Sequence, residues 1–427
     1  MLLRGAAGTG KTTLAAAMVR ALLSLSQHIV LMAPTGRAAK VFSVYSGHPA
    51  YTIHRRIYRQ QSLEGAFSLN FNSSHDTLFI VDEASMINSG DSAAGNGGGL
   101  LSDLVSFVYN GRNCRLLLIG DHAQLPPVGE QESPALQRPV LQMLGMHVYE
   151  ITLNEVLRQS RQSGILYNAT VIRQSLDVMP KIRLHGFADI QVVSGDELIE
   201  TLAGSYSRVG IDETMVVTRS NKRANIYNRG IRNTILDRED ELSSGDRLLV
   251  VKNNYFWGQE STADKKMEFI ANGDLAVVQR VRNIHELYGF RFAEVTMTFP
   301  DYDDYELTAT TLLDTLLADA PALTEAQQAQ LSACVMEDYS DIPQKAERLK
   351  QLKADKYYNA LQIKFAYAAT CHKAQGGQWQ HVYVDQGYMT DEMLNADYCH
   401  WLYTAFTRAT EKLYLVNWPA GQTETVQ

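Results

Sequence analysis

Eight residues near the start, Gly5-Ala6-Ala7-Gly8-Thr9-Gly10-Lys11-Thr12, have the types and spacing to hold a triphosphate. They match G-x-x-x-x-G-K-[ST] and lie between the apolar run Met1–Leu3 and an Ala/Leu-rich helical pattern, the strand–loop–helix context that gives the match meaning. Glycines let backbone N–H groups curl around a phosphate, and the helix N-terminus adds positive potential. Gly5, Ala6, Gly8, Thr9 and Gly10 would cradle the phosphates, Lys11 would reach the β- and γ-phosphates, and the Thr12 hydroxyl would hold Mg²⁺. Stripped of its flanks, the segment is only a glycine turn before an amphipathic helix.

A second candidate is Leu78–Met86, LFIVDEASM. Asp82 is placed to bind Mg²⁺, directly or through water, and Glu83 to activate an attacking water. The plain alternative is a strand that ends in acids because strands end in polar turns. Gln124 follows the apolar run Arg115–Ile119 inside Gly120-Asp121-His122-Ala123-Gln124-Leu125-Pro126-Pro127-Val128, close enough to such a strand to sense a γ-phosphate. Pro34 and Thr35 follow the run Ile29–Met32, at the sheet edge where ligands bind. His54, in Tyr51-Thr52-Ile53-His54-Arg55-Arg56, reads by itself as part of a solvated face.

Elements must position these groups. Thr13–Leu25 reads as a helix apolar on most faces, hence buried. The run Ile29–Met32 reads as a short buried strand of the parallel-sheet kind, Leu78–Val81 and Arg115–Ile119 as further parallel strands, and Thr214–Thr218 as a strand. Gln60–Asp76 is polar and alternates weakly around Phe67 and Phe71, as a hairpin does. Ser89–Gly99 is a glycine-rich loop. Arg219–Arg232 carries five basic residues and no acids, which suits either a solvated helix face or contacts to backbone phosphates. A β-rich stretch starts at Asp246–Val251 and runs to Tyr305–Ala309, and Leu312–Tyr358 reads as charged helix. Asp301, Asp303, Asp304 and Glu306 lack EF-hand spacing and read as a solvated turn.

Composition bounds the classes. At 427 residues with 45% hydrophobic content, two or three domains with real cores are expected. No apolar run is long enough to span a membrane, and no secretory leader is apparent. Cys114, Cys334, Cys371 and Cys399 are too scattered for a zinc pattern and suggest reduced thiols in the cytoplasm. A net charge of −8 argues against a protein that coats nucleic acid, but leaves room for a local basic groove.

GAAGTGKT, APTGRAA, VDEAS and GDHAQLPPV occur in the order of helicase motifs I, Ia, II and III. Glu155-Val156-Leu157-Arg158-Gln159 resembles motif IV, Ala366–Gly376 (AYAATCHKAQG) motif V, and Tyr403–Ala409 (YTAFTRA) motif VI. Together they resemble the superfamily one helicases, most closely the RecD/Dda-like 5′-to-3′ branch, across residues 5–409. The resemblance implies an α/β chain with two RecA-like P-loop domains. It places the first over 1–153, with a short pin-like insertion at 51–76. The second takes 154–245 and 360–427, and a β-barrel with a helical arm is inserted at 246–359. It assigns Arg158 and Arg408 to a cleft where they meet the γ-phosphate, beside Glu83 and Gln124. Gln375 and Gly376 join the nucleotide contacts. Pro34, Thr35, His54, Phe67, Thr370, His372 and Lys373 become the strand contacts, with Phe67 at the pin. ATP and Mg²⁺ are the implied cofactors, and single-stranded DNA and duplex junctions the partners, with replication or repair proteins beyond them. The expected activity is 5′-to-3′ unwinding. The alternatives are a translocase subunit of a RecD-like complex and a strand-binding module with a silent ATPase. The family carries an adenine-reading glutamine before motif I. Almost nothing precedes Met1 here, which predicts a fragment or a base held by another route.

Overall fold

The computed structural model describes residues 1–60, 67–90, 99–155, 163–176, 179–257 and 270–424. The expected α/β class with parallel sheets and an inserted barrel holds. The first sheet has six parallel strands in the order Ala50–Thr52, His28–Ala33, Thr77–Val81, Arg115–Gly120, Leu2–Gly5, Glu150–Leu153. The second has five parallel strands: Ala368–Thr370, Thr214–Thr218, Trp379–Asp385, Ala409–Val416, Ile190–Val193. Separate apolar clusters cover the two faces of each sheet, which is why the strands read as unbroken apolar runs. Loops at the carboxyl ends of such strands are where ligands bind, and the glycine loop follows Gly5 at one of them.

The first helix runs over Lys11–Ser24 and buries only Ala15, Ala16 and Val19, while Leu14 and Leu23 are each 39% exposed. The expectation of burial on most faces fails because the helix lies on one sheet and meets it through small side chains. The hairpin is present as Tyr58–Gln60 paired with Phe67–Leu69. Its base is pinned: the Tyr58 hydroxyl donates to Asp103 Oδ2 at 2.6 Å, and Asn72 Nδ2 donates to the carbonyls of Phe107 (3.0 Å) and Val108 (3.2 Å).

The closed barrel comprises Arg247–Val250, Leu275–Leu287, Phe290–Phe299, Tyr305–Leu312 and Leu361–Phe365. The last strand lies past the boundary at 359. It pairs antiparallel with Arg247–Val250 and parallel with Tyr305–Leu312, so the strand that closes the barrel runs almost directly into the second sheet at Ala368. The stretch read as helix from Leu312 is strand through that residue, then two helices, Glu325–Asp338 and Lys345–Ala354, packed on the barrel through Leu331, Val335 and Leu352.

One apolar cluster spans the barrel and one face of the second sheet. At their junction Asp246, fully buried, takes Arg232 Nη2 at 2.9 Å and Arg238 Nη1 at 2.8 Å, and accepts from the Tyr367 hydroxyl at 2.8 Å. Arg232 is therefore structural rather than solvated. Arg223 also pairs, its Nε reaching Asp385 Oδ2 at 3.0 Å, while its side chain stays 41% exposed. The barrel also touches the first half. Lys40 Nζ donates to Pro300 O and lies 3.8 Å from Asp301 Oδ1, so Asp301 leaves the solvated turn while Asp303 and Asp304 stay in it. A side chain on Gly36 would overlap the Asp274 carboxylate and come within 3.0 Å of the Tyr302 hydroxyl.

Candidate nucleotide site and strand groove

The glycine loop owes its shape to Gly8 and Gly10, both at φ +79°, a left-handed backbone that other residues resist. The buried Thr9 hydroxyl donates to Ala6 O at 2.8 Å and braces the turn. Lys11 Nζ lies across the loop, donating to Gly5 O at 2.7 Å and Ala6 O at 3.0 Å. The Thr12 hydroxyl reaches Asp82 Oδ2 at 3.2 Å. Asp82 is 6% exposed, and its carboxyl is pushed up to about 6, first by burial and then by the charge of Glu83; Lys11 and Thr12 oppose this. A hydroxyl and a buried carboxylate side by side form a hard-oxygen pair that suits Mg²⁺. Glu83 sits at φ 52°, ψ 38°, a conformation that costs a non-glycine residue energy and recurs at working sites. Among the described residues, no group of three or more His, Cys, Asp or Glu forms a separate metal cluster.

These groups face a cavity of about 620 Å³, together with Gln124, Gly376, Thr407 and Arg408. Arg408 is 2% exposed. Its guanidinium donates to Thr404 O (3.0 Å), Gly377 O (3.1 Å) and Thr407 Oγ1 (3.2 Å). All three acceptors are neutral, and among the described residues no carboxylate pairs with it. A buried cation without a counter-charge is costly, and an anion in the same cavity offsets that cost. Arg158 lies outside the described residues.

A second cavity, about 660 Å³, opens between the two halves and the barrel. Thr35, Thr370, His372 and Lys373, four of the residues expected to contact a strand, line it. Lys373 Nζ is buried with no hydrogen-bond partner among the described residues, and burial, helped by Lys364, lowers it to about 8. Burial also lowers the His372 imidazole.

Three expected contacts are placed elsewhere. Pro34 lies beside Thr35 but outside the lining. His54 also lies outside it; burial lowers its imidazole to about 4, and the neutral ring tilts against Tyr58 at 5.6 Å, which suits packing rather than phosphate attraction. Gln375 lines the groove rather than the loop cavity, donating through Nε2 to Leu125 O at 2.7 Å, while Gly376 does reach the loop cavity. Phe67 opens the second hairpin strand opposite Gln60, and its side chain lies outside the described residues.

The groove also uses Arg37, Arg219, Lys222, Asn272, Met86 and Val128, the last 83% exposed. Arg219 and Lys222 were visible as part of the basic stretch. Arg37 stands inside APTGRAA, two residues past Thr35. Asn272 gave no signal, because only barrel closure brings it there.

The two halves are wired together. Ala7 N donates to the Tyr403 hydroxyl at 2.8 Å, which in turn donates to Asp121. Leu125 N donates to Thr404 Oγ1 at 2.7 Å. The helix Ala396–Phe406 thus holds both the glycine loop and the loop carrying Gln124.

A AAA domain model matches residues 1–175, and a model of the UvrD-like helicase C-terminal domain matches residues 365–416. The ATP-dependent RecD2 DNA helicase of Deinococcus radiodurans is 34% identical over 175 residues, covering 40% of this chain and 21% of that one. The ATP-dependent DNA helicase dda of Enterobacteria phage T4 is 27% identical over 310 residues, covering 70% of this chain and 64% of that one. The chain therefore spans about a fifth and just under two thirds of these curated relatives. Among solved structures, the Pif1 helicase from Candida albicans aligns with 16% identity and a TM-score of 0.46, covering 100% of this chain and 93% of that one. The two domain models in this order, with the similarity to the RecD2 and Dda helicases, are consistent with a superfamily one 5′-to-3′ helicase.

Proposed function

We propose that the chain is a motor that hydrolyses ATP with Mg²⁺, moves 5′ to 3′ along single-stranded DNA and separates duplex ahead of it, working in the cytoplasm. The observation that carries this is Arg408. It belongs to the second half, yet among the described residues it is buried without a carboxylate partner, in the cavity of the first half's glycine loop. In this reading Lys11 and Arg408 stabilise charge on the transferring phosphoryl group, and Glu83 orients the attacking water, with Gln124 sensing the γ-phosphate. Thr12 and Asp82 would hold Mg²⁺, which supplies further charge neutralisation. A nucleotide in this cavity touches both halves, so its cleavage changes how they fit. The groove between them then shifts its two walls relative to each other.

The test is the ATPase rate without nucleic acid, with single-stranded DNA and with RNA. DNA should raise the rate strongly, and Lys11→Ala should abolish turnover while leaving strand binding. Equal rates with and without a strand would sink the reading. The intact set Lys11, Thr12, Asp82, Glu83 and Gln124 speaks against a silent ATPase. DNA-stimulated turnover without unwinding would favour a subunit that needs partner proteins.

A further inference from the structure

The segment Gly376–Trp379 lies between two arginines from opposite halves. On one side Arg408 donates to Gly377 O at 3.1 Å. On the other, Arg37 Nη2 donates to the adjoining carbonyl, Gln378 O, at 2.9 Å, and its guanidinium lies 4.4 Å from the centre of the Trp379 ring. The segment has no slack. Any side chain on Gly377 would overlap that ring, and a β-carbon on Gly376, at φ +76°, would sit 3.0 Å from Thr35 Oγ1 and 3.2 Å from Ala38. Arg37 has little freedom either. It is the second residue of the helix Gly36–Ser46, whose first turn is capped by Thr35 Oγ1 accepting from Ala38 N at 3.2 Å. Arg408 lines the loop cavity and Arg37 the groove, and two consecutive carbonyls connect them.

We infer that Arg37 is a positioning residue that transmits the state of Arg408 to the strand groove through the Gly376–Trp379 segment. This rests on the proposed motor function. Each of the three Arg408 bonds uses a different guanidinium nitrogen, so a move toward a phosphoryl group withdraws the donor from Gly377 O. The peptide so released is bonded to the one Arg37 holds. Arg37 grips it with a planar fork and a stacked face, which a lysine cannot reproduce. The shift therefore passes to Thr35 and the start of its helix instead of dissipating in the loop.

Lysine substitution separates this role from a plain phosphate contact. Strand-stimulated ATPase is titrated with an oligodeoxynucleotide for the full chain and for Arg37→Lys, Trp379→Phe and Trp379→Leu, with melting temperatures as a folding control. Arg37→Lys should lower the strand-saturated kcat about tenfold while the half-saturating DNA concentration moves less than about threefold, the scale of one lost cation–π and hydrogen-bond contact. Trp379→Phe keeps a ring face and should retain most of the stimulation; Trp379→Leu should lose it as Arg37→Lys does. A lysine variant with wild-type kcat, or one altered only in half-saturation, overturns the inference and leaves the motor standing. A wild-type protein that DNA does not stimulate removes both.

Discussion

At the scale of single residues, Arg408 is held, among the described residues, by neutral acceptors alone, so its charge has its largest effect when negative charge grows on a transferring phosphoryl group. Arg408→Ala should therefore lower kcat by roughly a hundredfold or more, in line with arginine-finger effects, with a much smaller change in nucleotide affinity. Steady-state kinetics beside equilibrium nucleotide binding checks this; an unchanged kcat would make Arg408 a structural tie between Thr404 and Gly377. Much of the loop cavity was legible because phosphate and metal chemistry fixes neighbours along the chain: Gly8 to Thr12 in one run, Asp82 beside Glu83. Arg37 was not, since Gln378, which it bonds, is 341 residues away and nothing local marks the pair. His54 misled for the opposite reason. It stands among arginines in sequence, but the fold packs its half-buried ring against Tyr58.

Elements extend the same lesson. Parallel strands announced themselves as apolar runs because both faces are covered. Closure of the barrel by Leu361–Phe365 was invisible, because closing a sheet depends on partners more than a hundred residues away, at Arg247–Val250. The hairpin was legible from weak alternation alone. Its base is anchored by Tyr58, Asp103 and Asn72, where the hairpin joins the first half. Opening a duplex costs about 1.4 kcal/mol per step in lost stacking, and an aromatic ring on a stiff support can offset part of it. Phe67→Ala should slow duplex unwinding while strand-stimulated ATPase stays near wild type. Loss of ATPase together with a lower melting temperature would make Phe67 a packing residue. Phe71, 68% exposed beyond the strand, is then the next aromatic to test.

Across the whole molecule, the contact between barrel and first half carries its own pH signature. Asp274 lies against Gly36, and its carboxyl is pushed up from 3.8 to about 7, mainly by burial, with Asp301 adding and the Ala271 N–H and Tyr302 hydroxyl opposing. Arg37 and Lys40 face Asp301 and offset its charge in turn. The folded state thus binds this proton more tightly than the unfolded chain. The stability it contributes is complete below about 3.8 and is lost as pH rises through about 7. Asp274→Asn removes the dependence. Its melting temperature relative to wild type should rise between pH 5 and pH 8, by an amount worth about 1.4 kcal/mol per unit of pKa shift at most. A difference that stays flat across that range would show Asp274 ionised at no cost.

The barrel is attached to its neighbours in two unlike ways. Toward the second sheet it shares one apolar cluster and the buried Asp246 pairs with Arg232 and Arg238. Toward the first half it meets Lys40 with Pro300 and Asp301, and Gly36 with Asp274 and Tyr302. Water can replace the second set bond for bond, since a partly exposed ion pair is worth about 0–1 kcal/mol and salt screens it. It cannot replace the first without exposing apolar surface. In the proposed motor, a parting of the two halves would therefore let solvent in on the Lys40 side, and the barrel would travel with the second sheet.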